Sequence, residues 1–242
     1  AVRRTRVGLM SAVTAGAFLV ASSVAIAAPF ETGVAAVERA VRGDEQTQVI
    51  ASPTAQYRLT LSINWTRTTH PNTLPSNAHV SRPIMATHST PGAMFRRGAL
   101  ASPGIESMAE TGGVTSLLAE LNADPGVTLS ATEAGVFGTA DRVFTFTLSQ
   151  GADLVSLTTM LAPSPDWFVG FADRDMFVDG VWIESTTFPL GNYDAGTDSG
   201  SRFRSPNADA QPATVITGPT DVAFAAAAAE GPFGTVHIER VG

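Results

Sequence analysis

Asp194 and Asp198 stand four residues apart in NYDAGTDSG, residues 192–200, with no basic residue between them. That spacing would place both side chains on one helical face. Gly196 and Gly200 flank the second aspartate, however, and Asn192 precedes the first, so the segment reads as a loop. Glycine lets the backbone take positive φ and turn tightly, which allows both carboxylates to enter one concavity. A third candidate is Asp166 in APSPDW, residues 162–167, at a strand start braced by two prolines with fixed φ. If the three converge, each pair at about 4 Å repels by roughly 4 kcal/mol at an effective dielectric near 20. Such a cluster needs a proton or a cation. Hard oxygen ligands on irregular loops suit Ca²⁺, which takes about 6–8 oxygens. Mg²⁺ demands a stricter octahedron, and the register of an EF-hand loop is absent. The bland reading of the same spacing is a solvated acidic loop.

Other chemistries fit less well. Asp166 with Asp194 or Asp198 could serve as the acid/base pair of a secreted glycan hydrolase, with Trp65, Trp167 and Trp182 as candidate sugar platforms. All three tryptophans fall in strand patterns, which favours core positions. Asp198-Ser199-Gly200 spells the motif of an aspartic protease, but there is no second copy to share a proton. His70, His79, His88 and His237 form no H-x-x-x-H pair and read as packed, hydrogen-bonded side chains. Arg202 and Arg204, just after the acidic loop, either neutralise it, grip an anionic ligand or are simply solvated. Asn64-Trp65-Thr66 matches a glycosylation sequon, and Arg42-Gly43-Asp44 an integrin tripeptide; both read as chance occurrences.

Composition narrows the class. The chain has 242 residues and a net charge of −7; its 15 basic residues are all arginine, and it has no cysteine. An acidic balance argues against nucleic acid, whose binding requires neutralised phosphates. The lack of cysteine excludes disulfides and zinc–thiolate sites. Residues 1–27 have the form of an export signal: basic Arg3, Arg4 and Arg6, an apolar run from Val7 to Val24, and Ala25-Ile26-Ala27 as a cleavage site. Residues 28–50 read as a linker and residues 51–242 as one domain. The expected location is outside the cytoplasm, secreted or periplasmic or at the cell surface, with no membrane span after cleavage.

The elements that must position the aspartates are mostly strands. Tyr57, Leu59, Leu61 and Ile63 alternate with polar residues, the period of a half-buried strand. Val80–Thr87 is a second strand, with Pro83 marking an edge or bulge. Further strands are expected over Val127–Thr132, Arg142–Leu148, Leu154–Leu161, Trp167–Ala172, Val181–Ile183, Val215–Ile216 and Thr235–Val241. Residues 104–121 carry a helical pattern broken at Gly112-Gly113, and Phe224–Ala229 is a helical turn or a loop. This rhythm predicts an all-β, antiparallel β-sandwich with one or two short helices around a single core.

Longer stretches resemble a known family. SLTTMLAPSPDWFVGFADRDMF (156–177) and GVWIESTTFPLGNYDAGTDSGSRFRSPN (180–207) are similar to the spondin domain of F-spondin and mindin, which also occurs in bacterial secreted proteins. YRLTLSINWTRTTHPNTLPSNAHVSRPIMATHS (57–89) and the terminal VHIERV extend the likeness over almost all of 51–242. The resemblance implies a calcium-binding sandwich akin to calcium-dependent lipid-binding domains. It also implies that Asp166, Asp194 and Asp198 hold the metal. By the same resemblance the chain is a non-enzymatic extracellular adhesion or binding module, whose ligand is a glycan, an acidic surface group or a protein. Two departures stand out. Tyr193 replaces a frequent tryptophan, and Asp173 and Asp175 lie where animal members carry cysteines. Thrombospondin-type repeats do not occur in these residues, so axon-guidance roles are not carried over.

Overall fold

The computed structural model describes residues 51–242; the export signal, the linker and the Arg42-Gly43-Asp44 tripeptide lie outside the described residues. The first strand, β1 (Thr54–Asn64), buries every second side chain from Ala55 to Ile63, as its alternation predicts. It pairs antiparallel with β6 (Thr139–Ser149) on one side and β13 (Gly234–Arg240) on the other. β11 (Ser185–Pro189) joins β13 at the far edge, giving the order β11-β13-β1-β6.

The second sheet is built on β7 (Leu154–Ala162). One side of β7 pairs with β8 (Trp167–Asp175), which in turn pairs with β12 (Gly191–Asp194). The other side takes two short strands in succession: β3 (Ile84–His88) along Leu154–Thr158, and β2 (His79–Val80) at Leu161 and Ala162. Beyond these lie β4 (Val127–Thr132), paired with β3, and β5 (Val136–Phe137), paired with β2. Pro83 therefore splits the second predicted strand in two, because proline cannot donate to the ladder. β3 is nevertheless an interior strand, and its bulge falls between Thr87 and His88. β9 (Phe177–Val178) and β10 (Val181–Trp182) form a separate hairpin. Val215 contributes only an isolated bridge to Leu100.

The sheets face each other across a core of Tyr57, Leu59, Leu61, Phe144, Phe146, Val236 and Ile238 against Val155, Leu157, Trp167 and Val169. A second core lies on the outer face of the β7 sheet. There Ile84, Met160 and Phe168 meet Ile105, Met108, Leu117 and Leu121 from two helices. The β7 sheet is thus covered on both faces, and β7 and the first half of β8 are buried almost throughout. The single core expected from the sequence is two.

Three helices form. α1 (Pro103–Thr111) starts at Ser102, whose Oγ accepts from Ile105 N–H, and stops at Gly112 with φ 70°. α2 (Thr115–Ala123) follows the Gly112-Gly113 break. Its Glu120 accepts from Gly104 N–H and Ser102 Oγ, so α2 secures the start of α1. α3 (Val222–Glu230) is the alanine-rich piece, and its Phe224 stacks on Trp167 at 4.7 Å and 8°.

Candidate metal centre

Sheet register brings the first two aspartates together. Asp166 ends the β7–β8 turn, and Ser164 Oγ, which accepts from Trp167 N–H, ties that turn to the start of β8. β12 runs antiparallel to β8 with Asp194 opposite Trp167. Ala195 N–H donates to the Asp166 carbonyl oxygen. Asp194 therefore sits at a strand end, and only the residues after it form the expected loop. Gly196 turns that loop with φ 73°, where a Cβ would strike Thr214. The turn delivers Thr197 and Asp198 back onto Asp166, whose Oδ2 accepts from Thr197 N–H at 2.8 Å and Asp198 N–H at 3.1 Å.

The three carboxylates are almost fully enclosed: Asp166 is 0% exposed, Asp194 8% and Asp198 8%. Asp194 Oδ1 accepts from Gly196 N–H, while Asp198 takes Gly200 N–H on Oδ1 and Ala208 N–H on Oδ2. Among the described residues, none of the three forms an ion pair. Asp166 Oδ1 is buried and has no hydrogen-bond partner.

A fourth carboxylate joins them from the helix layer. Glu110, in the last turn of α1, has a buried Oε1 without a partner. Burial raises its carboxyl above the ordinary range; the Thr197 hydroxyl offsets part of the rise, and Glu106, Asp198 and Asp166 add to it. Burial likewise raises Asp166, against the pull of the Asp198 and Thr197 N–H groups. Asp194 is pushed up to about 7, first by burial and then by the Asp166 charge. The Trp167 indole N–H counters this slightly, although it closes no hydrogen bond of ordinary geometry.

Among the described residues no group of three or more acidic or imidazole side chains is arranged so as to hold a metal ion. The carboxyl groups are enclosed, electrostatically coupled and held by local N–H groups. Nevertheless the donor set fits a hard cation: carboxylate oxygens without counter-charge, two of them orphaned in the interior.

The other sequence candidates resolve plainly. Trp65, Trp167 and Trp182 are core residues and form no sugar cleft. His70 stacks on Phe233 and its Nδ1 meets Thr69 Oγ1. His88 spans Thr90 O and Ser156 Oγ. Arg202 and Arg204 are exposed and do not pair with the acidic loop among the described residues.

An antiparallel sandwich with a helical cover and an acidic centre at one end defines the class. A family profile described as Spondin_N matches residues 55–230. The chain belongs to the spondin amino-terminal family. It is 34% identical over 177 residues to Spondin-2 of Rattus norvegicus, covering 69% of this chain and 53% of that one. It is 34% identical over 167 residues to Spondin-1 of Gallus gallus and 33% identical over 167 residues to Spondin-1 of Homo sapiens. Each of those matches covers 65% of this chain and 21% of the relative. The chain thus spans about half of the first relative and about a fifth of the others. No helix among the described residues is long and apolar enough to cross a membrane.

Proposed function

We propose that this domain is an extracellular, calcium-binding module of the spondin type that binds a ligand and does not turn one over. The observation that carries the metal is Asp166, a fully enclosed carboxylate with one oxygen unpartnered, flanked by two more carboxylates and no cation. A buried charge left in that state costs several kcal/mol. Asp166, Asp194 and Asp198 would hold the ion, and Glu110 would join them. Bound calcium would supply the positive charge that the surrounding side chains lack. The consequence for the protein is a brace. The β7–β8 turn, the end of β12 and the loop after it would be fixed as one surface. A partner carboxylate, sulfate or phosphate could also complete the ion's coordination. Membership of the spondin family supports placement outside the cytoplasm.

Thermal unfolding with and without calcium tests this. Calcium at 100-fold above its dissociation constant stabilises by about 2.7 kcal/mol. The wild type should show that rise, and Asp194→Ala and Asp198→Ala should not. Asp194→Asn, which keeps shape and removes charge, guards against a folding defect. Equal rises in all the variants and the wild type would remove the assignment.

A further inference from the structure

Beside the acidic centre lies a cleft of about 580 Å³, walled by β2, β5, the end of α1 and the β7–β8 turn. Glu110, shared with the acidic centre, lines one wall, and the cleft's other two charged groups are cationic. Arg82 and Arg204 both line it and both are exposed. Among the described residues neither takes part in an ion pair, whereas Arg58 and Arg240 are each held by a glutamate. In a chain of net charge −7, two uncommitted guanidinium groups on one cleft are a local excess of positive charge. Arg204 sits at φ 63°, a backbone position that glycine would occupy without strain. At the mouth, Phe137 is 68% exposed and lies flat on His79, with centroids 4.5 Å apart and an interplanar angle of 19°. The ring pairs with His79 across the β2–β5 ladder, and its outer face is left in water beside two cations.

We infer that this cleft binds an acidic saccharide, whose sulfate or carboxylate groups are taken by Arg82 and Arg204 and whose sugar face lies on Phe137. Guanidinium presents a planar fork that matches both anions. The apolar C–H face of a sugar ring covers an exposed aromatic, a use that free phosphate does not have. The Ser205 hydroxyl accepts from Arg202 N–H and keeps its own proton for a sugar oxygen. The cleft volume falls within the range of small-ligand sites. This deepens the proposed binding role by naming a ligand class. The groups that would touch the sugar, Arg82, Arg204, Phe137 and Ser205, are not candidate ligands of the ion, although Glu110, which is one, lines the same cleft.

The test is calorimetric titration of the full chain with a heparin-derived hexasaccharide, its desulfated and carboxyl-reduced counterpart, and hexa-aspartate. Each is run in calcium and in chelator. The sulfated sugar should bind in both media. Arg82→Gln and Arg204→Gln should each weaken it about tenfold, the loss of one charge-assisted contact. Phe137→Ser should weaken it about fivefold. All three side chains are exposed, so melting temperatures should match the wild type. The neutral sugar should bind at least about tenfold more weakly. Unchanged binding in the double arginine variant, no binding by the wild type, or hexa-aspartate matching the sugar would overturn the inference. Loss of calcium binding with sugar binding intact would overturn the metal proposal alone, and the reverse pattern would overturn the cleft alone.

Discussion

Asp166 divides its work between its two oxygens. Oδ2 collects two backbone N–H groups and the Thr197 hydroxyl, while Oδ1, equally buried, has none. An asparagine can place its carbonyl oxygen where Oδ2 stands and its amide where Oδ1 stands. Without calcium, Asp166→Asn therefore removes an unfavourable buried charge and keeps the hydrogen bonds. It should melt roughly 2–4 °C above the metal-free wild type, about 1 kcal/mol for a domain of this size. It should also lose the calcium response. A metal-free variant that melts below the wild type would show that the charge is already compensated. The aspartates could be found from sequence because the glycines and prolines around them announce an unusual backbone. Glu110 could not be found that way, since helix packing alone brings it to Asp166. One signal was present: a carboxylate in the last turn of a helix, where the helix dipole disfavours negative charge.

At the scale of elements, the alternating strands were legible because one face meets the core and the other meets water. β1 buries alternate side chains as its pattern predicts, β4 takes the expected bounds, and the helical run breaks at Gly112 where expected. The short strands β5, β9, β11 and β12 were not legible. Each is held by its neighbours' backbone, and the sequences of β11 (STTFP) and β12 (GNYD) carry no apolar–polar alternation. The extra core was hidden for a related reason. Serine and threonine in β7 mask the fact that both faces are buried. β12 matters most, because its pairing with β8 sets Asp194 against Asp166, and Gly196 then has to reverse the chain. Gly196→Ala puts a Cβ against Thr214 in a left-handed conformation. The expected cost exceeds about 1 kcal/mol in denaturant midpoint, with weakened calcium affinity although no ligand atom is removed. Wild-type affinity in that variant would mean that the loop does not position the site.

The whole molecule combines two sets of buried ionisable groups with opposite pH demands. Asp194, Asp166 and Glu110 have raised carboxyl pKa values in the fold. The native state therefore binds protons that the unfolded chain has released. Their contribution in metal-free protein is largest below the unfolded carboxylate value near 3.8 and is lost as pH climbs towards the Asp194 value of about 7. His70 and His88 are lowered from 6.5 because burial excludes the charged ring, Asp173 beside His88 offsetting only part of that. The unfolded chain binds those protons first, so their effect is absent above 6.5 and costs stability as pH falls below it. Calcium changes one set only. With the ion bound, the carboxylates must be ionised, and above pH 5 their preference for acid disappears. Urea midpoints in chelator should therefore vary little, or fall, from pH 5 to pH 7, because the carboxylate loss opposes the histidine gain. In saturating calcium the same midpoints should rise across that window, because the carboxylate loss is removed and the histidine gain remains. Parallel curves in the two media would show that no cation–proton exchange takes place at the acidic centre, and the calcium-braced surface would have to be abandoned.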